Sequence, residues 1–321
     1  MPLLTRRRLL ALPAALAAGG AFAGGVRDVL DTPALRSPLA ERSLLNGLAR
    51  AGDRLVAVGQ RGHVLVSADG GRSWQQAEVP ASSDLVAVHF PTPTQGVACG
   101  HDGLVIGSAD GGRSWKRLLD GRRAGTPENP WLDCWFADAR TGFVVGAFGD
   151  IQRTSDGGAS WQDAKASVDN PKGLHLYAVR GIGADVWIAG EQGLLLKLDR
   201  EAQRFKAVEL PYKGTLFGIV GNERALLVHG LRGSALRSTD GGRSWQAVAT
   251  GLQVGLPAAT LDAHGRFVLV SQAGHVLVSA DDGASFAPVA NQRPLPAAAV
   301  AAVPGALVLA GPRGLQSLPL A

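Results

Sequence analysis

The chain has 321 residues, of which 46% are hydrophobic, with 43 glycines and 18 prolines but no polar tract and no long charge run. Such a composition supports a sizeable core and many short strands joined by tight turns, and it excludes disorder. The formal charge of +5 falls to +2 without the leader arginines Arg6, Arg7 and Arg8, which excludes a general electrostatic case for a nucleic-acid partner and leaves a local basic face open.

Residues 1–23 read as an export signal. Arg6 to Arg8 form the basic region, Leu9 to Ala18 a short apolar region, and Ala21-Phe22-Ala23 a cleavage site, with the cut after Ala23. Thr5-Arg6-Arg7-Arg8-Leu9-Leu10 also resembles a twin-arginine signal. An ordinary secretory leader and an uncleaved anchor remain alternatives. The compartment that follows is the periplasm. No other apolar run is long enough to span a bilayer.

Beyond the leader two signatures recur. Ser/Thr-x-Asp-x-Gly-x-x-Trp/Phe appears five times, from Ser67, Ser108, Thr154, Ser238 and Ser279. Its aspartates are Asp69, Asp110, Asp156, Asp240 and Asp281, and its rings are Trp74, Trp115, Trp161, Trp245 and Phe286. The aspartates are 41, 46, 84 and 41 residues apart. The second signature, Gly-x-x-Gly between two apolar strands, begins at Gly59, Gly100, Gly146, Gly190, Gly230, Ser271 and Gly311, in steps of 41, 46, 44, 40, 41 and 40. A four-stranded propeller blade takes about 40–50 residues. The predicted fold is therefore all-β, a seven-bladed β-propeller of four-stranded antiparallel blades over residues 24–321.

Each repeat has one grammar. A first strand such as Leu85-Val86-Ala87-Val88 leads to a second such as Gly142-Phe143-Val144-Val145. The Gly-x-x-Gly turn follows, then a third strand such as His63-Val64-Leu65-Val66, the Asp motif, and a weaker fourth strand. The Asp carboxylate accepts hydrogen bonds from turn amides, the glycines take left-handed angles, and the ring packs into the sheet. These residues read as structural, because one carboxylate per turn is too few for calcium. Repeat four lacks the motif, with Lys197-Leu198-Asp199-Arg200-Glu201 and Phe205 in place of Trp. Repeat seven ends before any fourth strand. An open ring leaves an unpaired edge, so residues 24–38 are expected to supply the missing outer strand of the last blade.

These motifs are Asp-box, or bacterial neuraminidase, repeats. Combined with Gly-x-x-Gly seven times behind an export signal, they resemble the photosystem II stability/assembly factor family over the whole mature chain. The resemblance implies a non-enzymatic factor that holds a membrane subunit, with no cofactor. The implied partner is a protein client, a membrane protein or membrane complex. Peripheral membrane association stays open, and the chain itself is expected to be a monomer. The rival is a glycan-binding or sialidase-like propeller. Sialidases need three arginines on a carboxylate and a Tyr nucleophile paired with an acid; only Tyr177 and Tyr212 are present, and Tyr177 reads as a core or channel residue. Other glycosidases use two carboxylates, for which Asp133 and Glu191 are candidates with nothing in the sequence to pair them. Phosphate loops, dinucleotide fingerprints and nucleophile elbows are absent from the sequence.

In a propeller, turns between second and third strands share one face with the crossovers to the next blade. That grammar places Arg61, His101, Asp102, Phe148, Glu191, Arg232 and Arg313 on one rim, with crossovers carrying Arg122, Arg123, Trp131 and Tyr212. Variable positions on a rigid scaffold are where binding concentrates. The partner-binding candidates are Arg61, His101, Arg122, Arg123, Trp131, Glu191, Tyr212 and Arg232, with Arg and Trp favoured as anchors. No metal site is expected. Cys99 and Cys134, on neighbouring repeats, read as buried thiols or as one disulfide.

Overall fold

The structure, a computed structural model, describes residues 27–124, 129–290 and 293–320; the predicted leader lies outside them. Seven antiparallel sheets are arranged as the blades of one ring, at 45–76, 85–119, 131–163, 176–208, 216–248, 258–288 and 299–319. Six have four strands. The seventh has three, Ala299–Val303, Ala306–Gly311 and Gly314–Pro319. Second strands such as Gly96–Gly100, Gly142–Gly146 and Leu226–Gly230 are buried along their whole length. Each is covered on both faces by neighbouring blades, which is why these strands read as continuous apolar runs rather than alternating ones. Successive blades share hydrophobic clusters, such as Val56, Val58, Ala98 and Ile106 between blades 1 and 2.

The Gly-x-x-Gly turns explain their own composition. Gly59 stands so close to the chain entering blade 1 that a Cβ would overlap the carbonyl oxygen of Leu44, and the next amide, Gln60 N, donates to that same oxygen at 3.0 Å. The bond recurs from His101 N to Asp84 O (2.9 Å) and from Leu231 N to Thr215 O (2.9 Å). Gly62, with φ of 69°, has its open side against the carbonyl oxygen of Ala81, on the crossover to blade 2. The first glycine therefore seats the turn on its own blade, and the second seats it on the chain leaving for the next.

Ring closure differs from the expected outer strand. Residues 27–38 run along the outer edge of blade 1 instead: Ala34 N donates to Val79 O, and Ser37 N to Gln76 Oε1. The start of this strap reaches blade 2, where Leu30 is buried and Asp31 meets Arg117. What the described N-terminal residues supply to blade 7 is the crossover. The turn Ala40–Arg42 packs on Gly314, whose Cβ would overlap Glu41 O, as the Gly62 Cβ would overlap Ala81 O. Ala40, Leu45, Ala299 and Ala310 form one cluster across this seam, and Arg50 Nη1 donates to Ala302 O at 3.3 Å. Side-by-side packing of blades 7 and 1 closes the ring.

The Asp motifs behave as read. In blade 1, Asp69 Oδ1 accepts from Arg72 N and Ser73 N at 3.0 Å each, and Oδ2 from Ser73 Oγ at 2.6 Å. Ser67 Oγ donates to Oδ1 (2.8 Å) and accepts from Gly71 N (2.8 Å). The pattern repeats at Asp110, Asp156, Asp240 and Asp281. Trp74, Trp115 and Trp245 each donate the indole N–H to a glycine carbonyl of the motif, and the ring packs between blades, Trp245 meeting Trp187 edge-on at 6.3 Å. Trp161 and Phe286 also pack against their neighbours. In blade 4 Asp199 Oδ1 accepts from Glu201 N and Ala202 N, Asp199 pairs with Lys206, and buried Phe205 fills the ring position. The carboxylate turn survives there without the motif.

These geometries make two predictions. Gly314 (φ 87°) and Gly305 (φ 71°) both lie in the left-handed region, but only Gly314 abuts backbone; Gly305 has open space around its α-carbon. Gly305→Ala is expected to cost about 1 kcal/mol, and Gly314→Ala about 3 kcal/mol or more, measured by chemical denaturation; equal costs would contradict the seam described here. The second concerns acid. Hydrogen bonds from the Ser160 hydroxyl and amide hold Asp156 down to about 2, below an unfolded value near 3.9. A depressed folded value gives stability that is present above about pH 4 and lost as the pH falls toward 2. Asp156→Asn is therefore expected to lower the melting temperature at pH 7 and to lose that deficit progressively between pH 4 and pH 2. An unchanged deficit at pH 2 would refute the linkage.

Candidate protein-binding rim

The turns between second and third strands meet the crossovers on one face. Besides the contacts of Gly62 and Gly314, a Cβ on Gly103 would strike Gly121, one on Gly193 Tyr212, and one on Gly233 Leu252. The residue before the second glycine is held in the left-handed region in five blades: Arg61 (φ 54°), Asp102 (56°), Phe148 (55°), Gln192 (52°) and Arg232 (57°). Side chains resist this conformation. It persists here because the flanking glycines are seated on neighbouring backbone or, at Gly149, on the Asn170 side chain. Its effect is to send the side chain away from the ring: Arg61, Phe148, Gln192 and Arg232 are all exposed. Phe148, 56% exposed, stacks edge-on against His175 at 4.9 Å, and its amide donates to His175 Nδ1 at 2.7 Å. An aromatic row continues inward from His175 to Tyr177 and Phe217.

The predicted site residues divide. Arg61, His101 and Arg232 stand exposed on this face, and the Arg61 and Arg232 side chains make no ion pair among the described residues. Glu191 is half-buried and Oε2 accepts from His175 N at 2.9 Å. Tyr212 is half-buried too, its hydroxyl donating to Leu231 O at 3.2 Å. Both brace the rim. Trp131 is a correction: it is 2% exposed and donates its indole N–H to Gly103 O at 3.0 Å, folded back between blades 2 and 3 rather than offered to a partner. Arg122 is a second correction as a free anchor. It binds Asp31 (2.9 Å), Asp120 (3.0 Å) and Asp28 (3.5 Å), clamping the N-terminal strap, and these contacts raise its pKa through Asp31 first while lowering that of Asp31. The side chain of Arg123 lies outside the described residues.

The central channel, about 490 Å³, is lined by the first strands and includes His89, Asp133, Tyr177, Arg180 and His229. Asp133 is buried on Arg180 and accepts from Val179 N at 2.8 Å; burial raises its pKa against the pull of Arg180. Burial also pushes His89 down to about 3 and His229 to about 4, so both are neutral at physiological pH. His89 Nδ1 accepts from Phe136 N, and His229 Nδ1 lies 2.7 Å from Leu256 O. Cys99 and Cys134 are free, buried thiols in one cluster between blades 2 and 3; burial, reinforced by Cys134, pushes the Cys99 thiol up. Sequence reasoning missed the Asp133–Arg180 pair and the left-handed conformation of the five rim residues. The fixed place of those residues inside Gly-x-x-Gly was the available signal. Among the described residues no helix is long and apolar enough to cross a membrane.

Comparison with known proteins agrees with this architecture. Residues 126–293 match the family model described as photosynthesis system II assembly factor YCF48. The photosystem II assembly lipoprotein Ycf48 of Synechococcus sp. (strain CC9902) is 31% identical over 162 residues, 49% of this chain and 48% of the relative. Its namesake in Prochlorococcus marinus (strain MIT 9313) is 30% identical over 165 residues, again 49% and 48%. The chain spans about half the length of the curated relatives it matches. A solved structure of YCF48 bound to D1 peptide superposes with a TM-score of 0.71 at 16% identity, over 89% of this chain and 96% of that one. YCF48 from Cyanidioschyzon merolae gives 0.67 at 15%, over 88% and 97%. With more than half its length matching the family model and a seven-bladed ring built from the family's repeat, the chain belongs to the photosystem II assembly factor YCF48 family.

Proposed function

We propose that this protein is an exported, non-enzymatic assembly factor that holds a protein client, a membrane protein or a subunit of a membrane complex, on the rim of its Gly-x-x-Gly turns. The observation that carries the reading is the rim itself. Four exposed side chains, Arg61, Phe148, Gln192 and Arg232, are fixed there in a conformation that side chains resist, and such strain gathers at functional surfaces. Its guanidinium groups suit acidic or carbonyl-rich segments of a client. The relatives' designation as assembly lipoproteins supports export and a role in assembly, and the D1 peptide on a YCF48 structure supports a polypeptide client. The carboxylate a glycosidase would need, Asp133, is committed to Arg180 and the Val179 amide, so hydrolysis is not part of the reading. Residues 1–23 serve as the cleaved leader, delivering a monomer to the periplasm.

Affinity capture from native membranes, with mass spectrometry of what co-purifies, tests the proposal. Arg61→Glu with Arg232→Glu is expected to abolish client capture. Arg72→Glu with Arg243→Glu, on the Asp-motif face, is expected to leave it intact. The opposite outcome would move the binding surface to the other face, and a wild type that retains no membrane protein would sink the reading.

A further inference from the structure

We propose that the outer edge of blade 7 is a strand-docking site, and that an extended client segment with acidic residues toward its C-terminal end adds there as the blade's fourth strand. This inference rests on the protein-binding reading above and goes further by assigning a second contact and the chemistry of what fills it.

Among the described residues the third strand of blade 7, Gly314–Pro319, pairs on one side only, with Ala306–Gly311. In the six other blades the equivalent strand carries a fourth, as at Leu65–Gln76 in blade 1 and at Leu236–Ala247 in blade 5. The described N-terminal residues that could have filled the place are held elsewhere, along blade 1 and against Arg117 and Arg122 of blade 2. A six-residue edge is long enough to template another chain through main-chain hydrogen bonds. Pro319 ends it, so pairing is confined to the residues before it.

The edge bears a second mark. Gln316 Oε1 is buried without a hydrogen-bond partner, while Gln316 Nε2 donates to Arg293 O at 3.4 Å. Buried acceptors are normally satisfied, and this one lies on the strand whose outer edge is unpaired among the described residues.

Charge and apolar surface select the occupant. At the Gly314 end stand Arg313 and Arg42, both exposed and without ion pairs among the described residues, with Glu41 as the acid of that turn. Leu39, 61% exposed, opens the same turn. The Pro319 end carries no charge in Gly314–Pro319 or in Leu320. Fourth strands run antiparallel to third strands in this ring, so an incoming segment would finish at Gly314, beside Arg42 and Arg313. Electrostatic complementarity then calls for acids at its C-terminal end, with an apolar residue within reach of Leu39.

The test uses the full-length protein and a fluorescein-labelled peptide of five alternating Thr and Val residues followed by two Glu. Hydrogen exchange should show new protection, when the peptide binds, of those Gly314–Leu318 amides that point outward and do not already bond Ala306–Gly311. Three controls should each weaken binding by about tenfold or more: the two Glu moved to the N-terminal end, the two Glu replaced by Lys, and N-methylation of alternate amides. Arg42→Glu with Arg313→Glu should do the same to the original peptide. Protection on another blade, or equal binding of the N-methylated peptide, would overturn the inference. So would protection of these outward amides in the protein alone, whether it tracks a dimer in sedimentation or disappears on deleting residues 24–38. Client capture by wild type with no protection at blade 7 would leave the rim reading standing and remove this one. Peptide protection without any captured client would do the reverse.

Discussion

Everything in this ring depends on the contact between glycine α-carbons and backbone carbonyl oxygens at the seven inner turns. Gly59 is pressed on Leu44 O, Gly100 on Asp84 O and Gly230 on Thr215 O; one turn further, Gly62, Gly233 and Gly314 are pressed on Ala81, Leu252 and Glu41. Any side chain at these positions would force the backbone apart, and a ring of packed blades has little freedom to absorb the shift. The contact also explains how the ring closes with no outer strand on blade 7 among the described residues. The segment before Leu45 occupies the same place against Gly314 that a crossover occupies elsewhere, so blade 7 meets blade 1 through the geometry that Gly62, Gly193, Gly233 and Gly274 provide at other blade junctions.

The two faces follow opposite strategies. On the Asp-motif face the side chains do the structural work, with aspartate, serine and tryptophan each committed to the turn that contains them. What that face still presents are the exposed arginines Arg72, Arg113 and Arg243. On the rim the backbone does that work, through glycines, the amide to carbonyl bonds and the amide of Arg61, which donates to Asp84 Oδ1 at 2.7 Å. Of the side chains between the glycines, Glu191 and Asp102 brace the turns, whereas Arg61, Gln192 and Arg232 stay exposed. Rigid backbone with free side chains limits the entropy lost on ordering a binding surface.

Most of the fold was legible because repetition multiplies a weak signal. A single Gly-x-x-Gly says little, but seven at a near-constant step fix the number of blades, and the Asp motifs fix which turn lies on which face. What a repeat cannot encode was missed. Residues 24–38 carry no strand pattern of their own, and the path of residues 27–38 is set by single contacts, with Leu30 buried and Asp31 between Arg117 and Arg122. Trp131 looked like a loop anchor because its neighbours are Pro130 and a polar crossover. It begins the strand Trp131–Phe136, and its ring meets a carbonyl 28 residues earlier in sequence. Asp133 and Arg180, 47 residues apart, become partners only once blades 3 and 4 are adjacent.

That last pair bears on where a client could sit. A propeller channel is an obvious cavity, and this one holds a carboxylate, a guanidinium, two imidazoles and a tyrosine. Asp133 is nevertheless buried on Arg180, which is itself partly exposed, and on the Val179 amide, and stripping a buried carboxylate of its hydrogen bonds costs about 1–3 kcal/mol. His89 and His229 are neutral and each has a backbone partner. A ligand entering the channel would have to displace bonds already made, whereas one approaching the rim meets Arg61, Arg232 and Phe148 already exposed to water. The aromatic row from Phe148 through His175 and Tyr177 to Phe217 joins the two regions. By the same balance it favours its outer end, where recognition replaces water instead of an existing ion pair.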